Sequence, residues 1–265
     1  MNIISKKYNF LKPHVCKNLK RIGRNQDGGY VVNIESILNN KILVSFGLGL
    51  DWSFELEFLR INKLGKVYIF DNSINIFTFF LPFLKCLKRF LTFRKNLNDI
   101  KNRASDMFEY LSFISKKNVF FSKKTIGLNS EKNEISLKNV LDNIKSEQKL
   151  ILKIDIEGTE YDLIEEILQS SSRLDLLIIE FHNTDLNESN FTKSINSLQK
   201  FFNIIHLHGN NHCGVGRSGI PEAIEITFLN KIHDLPQNMG KANYPLKDLD
   251  FPNNPNTKDI FFGFN

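Results

Sequence analysis

The chain alternates short, almost continuously apolar runs with segments of helical periodicity, and this alternation constrains the fold more than any other feature. The predicted strands span residues 41–47, 66–73, 118–123, 149–158, 174–182, 203–209 and 222–229. Strands that are apolar at nearly every position are typical of a parallel sheet covered on both faces. The last two are joined by a turn-rich loop without a helix, so the seventh should run antiparallel to the sixth. The predicted fold class is therefore α/β, with a seven-stranded, mostly parallel sheet and an antiparallel last strand.

One domain accounts for these elements, since no repeat or low-complexity linker divides the 265 residues. The predicted helices span 52–62, 74–115, 136–144, 159–170 and 191–202. The second of them should break around Pro82. We treat residues 1–40 as an N-terminal extension that contributes to a substrate pocket, and 74–116 as a helical insertion. Segment 241–265, which holds three prolines, is predicted to be an extended tail on the surface.

Net charge and cysteine content suggest the kind of partner and the compartment. The formal charge of +6 suits an anionic partner such as a phosphorylated ligand. The three cysteines are scattered and form no CxxC pair, so we expect a reducing, cytoplasmic location without disulfides. The N-terminus has no apolar core of signal-peptide type. The most apolar stretch, 74–84, is too short to span a bilayer, so no stable membrane insertion is predicted.

A glycine-containing turn, SFGLGLDWSF (45–54), follows the first predicted strand and opens a helix. Gly47 and Gly49 allow a tight turn, and the helix N-terminus behind them favours a negatively charged group such as a carboxylate. Trp52 stands where a dinucleotide fingerprint would have its third glycine, which argues against a bound pyrophosphate. Asp71 ends the second strand, where it could accept hydrogen bonds from two ribose hydroxyls or, alternatively, cap the following helix.

Polar side chains follow three neighbouring strands of the predicted sheet, where each strand ends. They are Asp155, Glu157, Glu180, His182, His206 and His208, with Glu222 at the start of the return strand. We expect one member of each pair to face away from the site. The remaining carboxylate and imidazoles suit the removal of a proton from a hydroxyl. Alternatively, Asp155, His182 and His208 would bind a divalent metal ion, or the acids would merely cap the next helix.

Two loop segments are predicted to close the pocket. GRNQDGGYVV (23–32) precedes the sheet, although its DGG alone would indicate an ordinary hairpin turn. HGNNHCGVGRSG (208–219) offers amide groups and glycine mobility. The residues assigned to substrate binding are Asp27, Tyr30, Asn210, Asn211 and Glu222. Loops of this kind suit a polyhydroxylated substrate better than a planar one.

Five stretches resemble the FkbM family of S-adenosylmethionine-dependent methyltransferases. They are LKIDIEGTEYDLI (152–164), LLIIEFH (176–182), RIGRNQDGGYVV (21–32), HLHGNN (206–211) and PEAIEITFL (221–229). The first resembles the family's most specific motif, and the second resembles the strand that follows it there. The last three resemble a subgroup that includes enzymes from bacterial polysaccharide gene clusters. The resemblance covers about residues 20–230.

The resemblance implies a Rossmann-like class I methyltransferase fold with S-adenosylmethionine as cofactor. It also implies O-methylation of a sugar hydroxyl, on a nucleotide-linked sugar or on a precursor of a surface polysaccharide such as capsule or O-antigen. Gly47, Gly49 and Asp71 would hold the cofactor. Many methyltransferases have an acid where this chain has Ser45, so Asp51 is a candidate to replace its contact to the methionine amino group.

Two other classes of function stay open. A nicotinamide-dependent sugar oxidoreductase would use the same turn, although the third glycine and a TyrxxxLys pair are missing. A non-catalytic module that binds an anionic ligand would depend on positive charge alone. We expect no nucleic-acid partner. Segment 82–103 is basic and partly amphipathic and could bind a diphosphate, a membrane surface or a second subunit, so a homo-oligomer is also left open.

Overall fold

The computed structural model describes residues 2–92, 96–127, 133–144, 148–235, 239–240 and 243–264. In those ranges the strands are β1 Asn2–Ile3, β2 Leu19–Ile22, β3 Tyr30–Asn33, β4 Ile42–Phe46, β5 Lys66–Phe70, β6 Val119–Ser122, β7 Thr125–Ile126, β8 Glu134–Ile135, β9 Leu150–Ile154, β10 Leu174–Phe181, β11 Phe202–Gly209, β12 Ile224–Asn230, β13 Asn243–Tyr244 and β14 Phe262–Gly263. The α-helices are α1 Ile34–Asn39, α2 Ser53–Ile61, α3 Ile76–Leu91, α4 Leu97–Ile114, α5 Leu137–Asn143, α6 Ile164–Gln169 and α7 Glu188–Leu198. Short 3-10 helices cover Lys6–Leu11, Glu160–Leu163 and Ser171–Arg173.

The central sheet has the strand order β11-β12-β10-β9-β4-β5-β6. Neighbouring strands are parallel except around β12, which runs antiparallel to both β10 and β11. This confirms the predicted α/β class, a Rossmann-like sheet of the class I methyltransferase type with an antiparallel last strand. The connections reverse direction between β4 and β9. In open sheets of this kind, ligands bind beyond the carboxyl ends of the strands at such a point.

The sheet is covered on both faces, as its continuously apolar strands require. Every position of β4, β9 and β10 is buried. One core cluster includes Phe181 and Phe191, whose rings meet edge to face at 5.4 Å. The second cluster, which includes Phe54 and Phe58 of α2, contains other residues of the same strands. Two buried layers therefore hold the carboxyl edge of the sheet in a fixed position.

The N-terminal extension packs against the central sheet. β2 and β3 form an antiparallel hairpin. The Thr227 hydroxyl of β12 donates to the backbone carbonyl of Val31 in β3 at 2.7 Å, a contact that is buried. This attachment brings Tyr30, the first residue of β3, to the end of β9, where its hydroxyl donates to Asp155.

The predicted helical region 74–115 consists of two helices, and its predicted break at Pro82 is wrong. Pro82 lies inside α3, and the helices separate only after Leu91. Proline inside a helix removes one backbone donor and costs about 3 kcal/mol. Packing one turn earlier offsets this cost, because the Phe79 ring stacks on Tyr110 at 4.7 Å and contacts Trp52 at 5.9 Å.

The predicted surface location of the tail is also wrong. Tyr244, Phe262 and Phe264 are buried, and β14 pairs with β13 and with β1. These three aromatic side chains belong to the main core cluster. In the described ranges, none of the helices is long and apolar enough to cross a membrane.

Candidate active site

A tight turn leaves β4 and passes directly over the end of β9. Gly47 has φ +77°, and a Cβ atom there would lie 1.7 Å from the Asp155 carbonyl oxygen, so only glycine fits. The Gly47 N–H donates to the carbonyl of Phe70 at the end of β5. The turn is therefore fixed against both strands that neighbour β4.

Asp71 holds this turn in place. One carboxylate oxygen accepts from the backbone N–H groups of Leu48 and Gly49 at 2.7 and 3.1 Å. The other accepts from the N–H and the hydroxyl of Ser73 at 2.7 and 2.6 Å. The alternative role of helix cap is wrong, because Asn75 caps α3. A ribose hydroxyl would have to share an oxygen that the chain already uses, since a carboxylate has about four acceptor positions.

A cavity of about 300 Å³ opens at the reversal point between β4 and β9. Gly47, Gly49 and Asp71 lie on one side, and Asp155 and Glu157 on the other. The lining is completed by Phe70, Asn72, Ser73, Lys124, Thr125, Ile126, Ile156 and Thr159. Three residues predicted for the cofactor, Gly47, Gly49 and Asp71, thus border one space with Asp155, which was predicted for catalysis.

Two residues predicted to contact the cofactor have other partners and do not line this cavity within the described chain. Ser45 is fully buried, and its hydroxyl donates to Glu55 at 2.6 Å. Asp51 accepts from the backbone N–H of Ser53 at 2.7 Å and forms an ion pair with Arg24 at 3.0 Å. These contacts hold α2 and the N-terminal extension in place.

Lys153 of β9 contacts the glycine turn, helix α2 and the Tyr30 ring. Its Nζ donates to the Gly47 carbonyl at 3.0 Å, lies 3.7 Å from Glu55, and sits 5.2 Å from the centre of the Tyr30 ring. Burial lowers the pKa of Lys153, but the Glu55 and Asp155 carboxylates outweigh it and raise the pKa overall. Sequence reasoning missed this residue, although a lysine inside the apolar run LILKI was a visible signal.

Asp155, Glu157 and His182 come together at the ends of β9 and β10. One ligand atom from each lies within 4.8 Å of the others. His182 Nε2 is 4.0 Å from Asp155, 3.6 Å from Glu157 and 3.6 Å from Glu180. We expected one of the two acids to face away, and this is wrong. Residues two positions apart in a strand share a face, and here β9 has already ended at Ile154 and Glu157 has φ +56°.

A buried glutamate positions the histidine. Glu160 accepts from the backbone N–H of His182 at 2.5 Å and from that of Gly158 at 2.7 Å. Its carboxylate also lies 3.4 Å from His182 Nδ1, which leaves Nε2 directed at the other acids. Burial lowers the pKa of His182, but Glu160 and Asp155 outweigh it and the pKa is raised. The neighbouring carboxylates therefore stabilise the protonated form of the imidazole.

Negative charge is in excess around this histidine. Burial raises the pKa of Asp155, an effect that Lys153 and His182 only partly oppose. Burial and the carboxylates of Asp155 and Glu225 place the pKa of Glu180 well above its usual range. The Tyr30 hydroxyl donates to Asp155 Oδ2 at 3.2 Å. The arrangement favours a positively charged group or a proton at this edge of the cavity.

His208 does not join the cluster predicted for it. The side chain is fully buried, with Nε2 3.3 Å from Asp259 and Nδ1 3.4 Å from Glu225. Burial lowers the pKa of His208, but the two carboxylates outweigh it and raise the pKa to about 10. A histidine held as a cation in this way cannot serve as a general base near neutral pH, so the predicted catalytic and metal-binding roles of His208 are wrong.

The residues predicted to bind substrate divide into two groups. Asn210 donates to Glu180 at 2.7 Å. Burial is the largest cause of the raised pKa of Asp155 and of Glu180, and the nearby Asp27 carboxylate raises both further. Burial and the carboxylates of Glu222 and Glu157 raise the pKa of Cys213, which places Glu222 at the same edge. Asn211 instead holds the tail.

The tail contacts Asn211, Glu225 and Asp27. The sequence alone did not predict these contacts. Asn211 exchanges hydrogen bonds with the backbone of Asn254 at 2.9 and 2.7 Å. Asn253 donates to Glu225 at 2.7 Å and to Asp27 at 3.3 Å. The tail therefore supports the acidic edge from outside the sheet.

The strand order of the central sheet is that of a Rossmann-like, class I methyltransferase fold. No protein-family model matches the chain, and no curated protein matches it. Among solved structures it is similar to the fibrillarin pre-rRNA processing protein of Methanococcus jannaschii (10% identity, 74% of this chain and 68% of that one, TM-score 0.39). It is also similar to a putative rRNA-methylase from Clostridium thermocellum (11%, 74% and 92%, TM-score 0.38). A third is a putative caffeoyl-CoA O-methyltransferase from Staphylococcus aureus (10%, 74% and 79%, TM-score 0.36).

Proposed function

We propose that this protein is an S-adenosylmethionine-dependent methyltransferase that methylates a sugar hydroxyl. The substrate class we favour is a nucleotide-linked sugar or a surface-polysaccharide precursor, as the resemblance to the FkbM family implies. The observation that carries the proposal is the shared cavity, in which the glycine turn faces Asp155 and Glu157. A cofactor held by the turn would place its reactive part next to groups that can handle a proton.

The cofactor would be held by the turn and by Asp71. Gly47 and Gly49 let the ligand approach the backbone closely, and Phe70 and Ile126 supply apolar surface in the same cavity. When bound, S-adenosylmethionine supplies a methyl group on a positively charged sulfonium. The excess of carboxylates at the opposite wall suits that charge.

Asp155 is the group we assign to take the proton of the sugar hydroxyl. Its side chain is 26% exposed, so an acceptor can reach it, and its pKa is raised by burial, which makes the carboxylate a better base. His182, held by Glu160 at 3.4 Å, lies 4.0 Å from Asp155 and orients it. The polar groups of Tyr30, Asn210 and Asp27 surround the position of the sugar. Transfer itself needs alignment and a base and no covalent intermediate.

Trp52 separates this proposal from a nicotinamide-dependent oxidoreductase. Its side chain packs between Phe79, Tyr110 and Phe113, with ring centres 5.8 to 6.1 Å apart. The helix that would receive a pyrophosphate therefore begins with a bulky anchored residue where a dinucleotide site needs glycine.

A divalent cation is a second candidate component of the site, and we propose the set Asp155, Glu157 and His182 as its ligands. Two carboxylates and one imidazole suit a magnesium-, manganese- or zinc-type ion. The set fits because Glu160 faces Nδ1 of His182 and so orients Nε2 toward the two acids. Such an ion would bind two substrate oxygens and acidify one of them.

Glu157→Gln separates the two versions of the site. The Glu157 side chain is 86% exposed, so a metal-free mechanism loses little when it is replaced. A metal-dependent enzyme would lose on the order of tenfold or more in metal affinity. Elemental analysis of the purified protein and activity after chelation give the readout. Full activity after chelation, with no metal in the preparation, would retire the cation and leave the methyltransferase proposal standing.

Calorimetry with S-adenosylmethionine tests the cofactor assignment. The wild type should bind it, and Asp71→Ala should bind about tenfold more weakly, because the turn loses the carboxylate that holds Leu48 and Gly49. Asp142→Ala, an exposed acid on α5, is the matched control. Binding of reduced nicotinamide in place of S-adenosylmethionine would contradict the proposal. A screen of nucleotide-linked sugars with labelled S-adenosylmethionine then identifies the acceptor.

A further inference from the structure

Helix α3 exposes a continuous apolar stripe to solvent. Six of its large apolar side chains are between 36% and 71% exposed. These residues, here named the apolar arc, are Phe77, Phe80, Leu81, Leu84, Leu87 and Leu91. At about 100° per residue they fall within about 120° of the helix circumference. A monomeric protein rarely leaves such a stripe uncovered without a partner for it.

The orientation of the arc is fixed by the opposite face of α3. Phe79 and Cys86 are buried there. The Phe79 ring stacks on Tyr110 of α4 and meets Trp52 at the start of α2. The helix therefore cannot rotate to bury the arc without breaking this aromatic cluster.

Positive charge is concentrated in the same segment. Residues 76–117 carry nine basic and three acidic side chains, an excess that equals the +6 of the whole chain. Lys85, Lys88 and Arg89 are exposed in the second half of α3, beside the arc. Asp99 and Asp106 of α4 line a hollow with Lys85 and Arg89 and reduce this charge only in part.

We propose that the apolar arc and its basic flank bind the surface of an anionic lipid bilayer, with α3 lying in the plane of the interface. An apolar face next to Lys and Arg is what interfacial helices use, because the apolar groups enter the headgroup boundary and the cations attract anionic lipids. A nucleic acid would use the charge and leave the arc exposed. A symmetric dimer through this face would bring the same basic side chains together.

Vesicle co-sedimentation of the full chain tests the proposal. The protein should bind vesicles of phosphatidylcholine mixed with phosphatidylglycerol and not phosphatidylcholine alone, and salt should weaken binding. The triple change Lys85→Gln, Lys88→Gln and Arg89→Gln should weaken it about fivefold per removed charge. The triple change Phe80→Ser, Leu84→Ser and Leu87→Ser should weaken it on the order of tenfold or more.

A matched control uses exposed apolar residues elsewhere. Leu64→Ser with Leu186→Ser removes side chains that are 85% and 86% exposed and should leave vesicle binding unchanged. Circular dichroism melting of each variant shows that it is folded. Equal vesicle binding by the arc variant, or no binding to anionic vesicles by the wild type, would overturn the proposal. So would a dimer that forms in sedimentation velocity and disappears in the arc variant, which would assign the arc to a second copy of the chain.

Discussion

The carboxyl ends of β10 and β11 present the same residue type at the same edge of the sheet, and they differ in what surrounds it. His182 keeps 11% of its side chain exposed and faces Asp155, Glu157 and Glu180 at 3.6 to 4.0 Å. His208 is fully buried and pairs with Glu225 and Asp259 at 3.3 to 3.4 Å. One histidine borders the cavity edge, and the other is enclosed.

This difference shows that the partner decides the role of a buried histidine. The carboxylate that encloses His208 comes from the tail, 51 residues further along the chain. Among the described residues, no such segment covers Nε2 of His182, whose neighbours at that atom are the acids of the site. We therefore assign chemistry to the first histidine and stability to the second.

The largest expected effect is on turnover at the first histidine's site. Asp155→Asn should lower kcat by about a thousandfold, because it removes the group assigned to accept the proton. His182→Ala should lower kcat strongly as well, while S-adenosylmethionine binding by calorimetry stays within a few-fold. His233→Ala, a histidine paired with Asp175 instead, is the control for a generic histidine loss. Retained turnover in Asp155→Asn would remove this carboxylate from the chemistry.

The next effect is on stability at the second histidine. His208→Gln leaves the Glu225 and Asp259 carboxylates without their cation, which should cost about 3 kcal/mol or more in the free energy of unfolding. Activity per folded molecule should persist. Chemical denaturation followed by fluorescence measures the free energy of unfolding, and transfer of the labelled methyl group measures the activity. A variant that is stable and inactive would reverse the comparison.

The stability that His208 contributes should depend on pH in a definite direction. The pKa of His208 is about 10 in the folded protein and about 6.5 when unfolded. A raised pKa contributes stability that is complete below the unfolded value and is lost as pH rises through the folded one. The stability gap between wild type and His208→Gln should therefore be widest near pH 6 and should narrow toward about pH 10.

The smallest expected effect is at Tyr30. Tyr30→Phe removes one hydrogen bond to Asp155 and should lower kcat about fivefold. Because that hydrogen bond favours the charged carboxylate, its loss should raise the pKa of Asp155 further. The acidic limb of the pH–rate profile should then move to higher pH. A drop in rate with an unmoved limb would indicate a packing defect at the Phe54 contact instead.

Much of the fold could be predicted because local sequence decides it. The continuous apolar runs specify buried strands, and the missing helix before β12 specifies its antiparallel direction. Gly47 and Asp71 were also identifiable, since one sits where no side chain fits and the other ends the strand beside it. These signals lie within a few residues of the features they determine.

The site was harder to predict because distant residues complete it. The Ser45 hydroxyl donates to Glu55, and His208 pairs with Asp259. A strand pattern reveals neither of these contacts. One acid of the pair Asp155 and Glu157 was expected to face away, although residues two positions apart in a strand share a face, and Glu157 lies three residues beyond the strand end with a positive φ. The tail was misread because its prolines and asparagines suggested solvent, while Tyr244 and Phe262 pack in the core.

The dependence of His206 and His208 on Asp250 and Asp259 has a consequence for biosynthesis. The two imidazoles lie on β11, and the aspartates are translated 44 and 51 residues later. A nascent chain halted between them would still lack these two aspartates, so the outer strands should stay open to chaperones until the aspartates emerge.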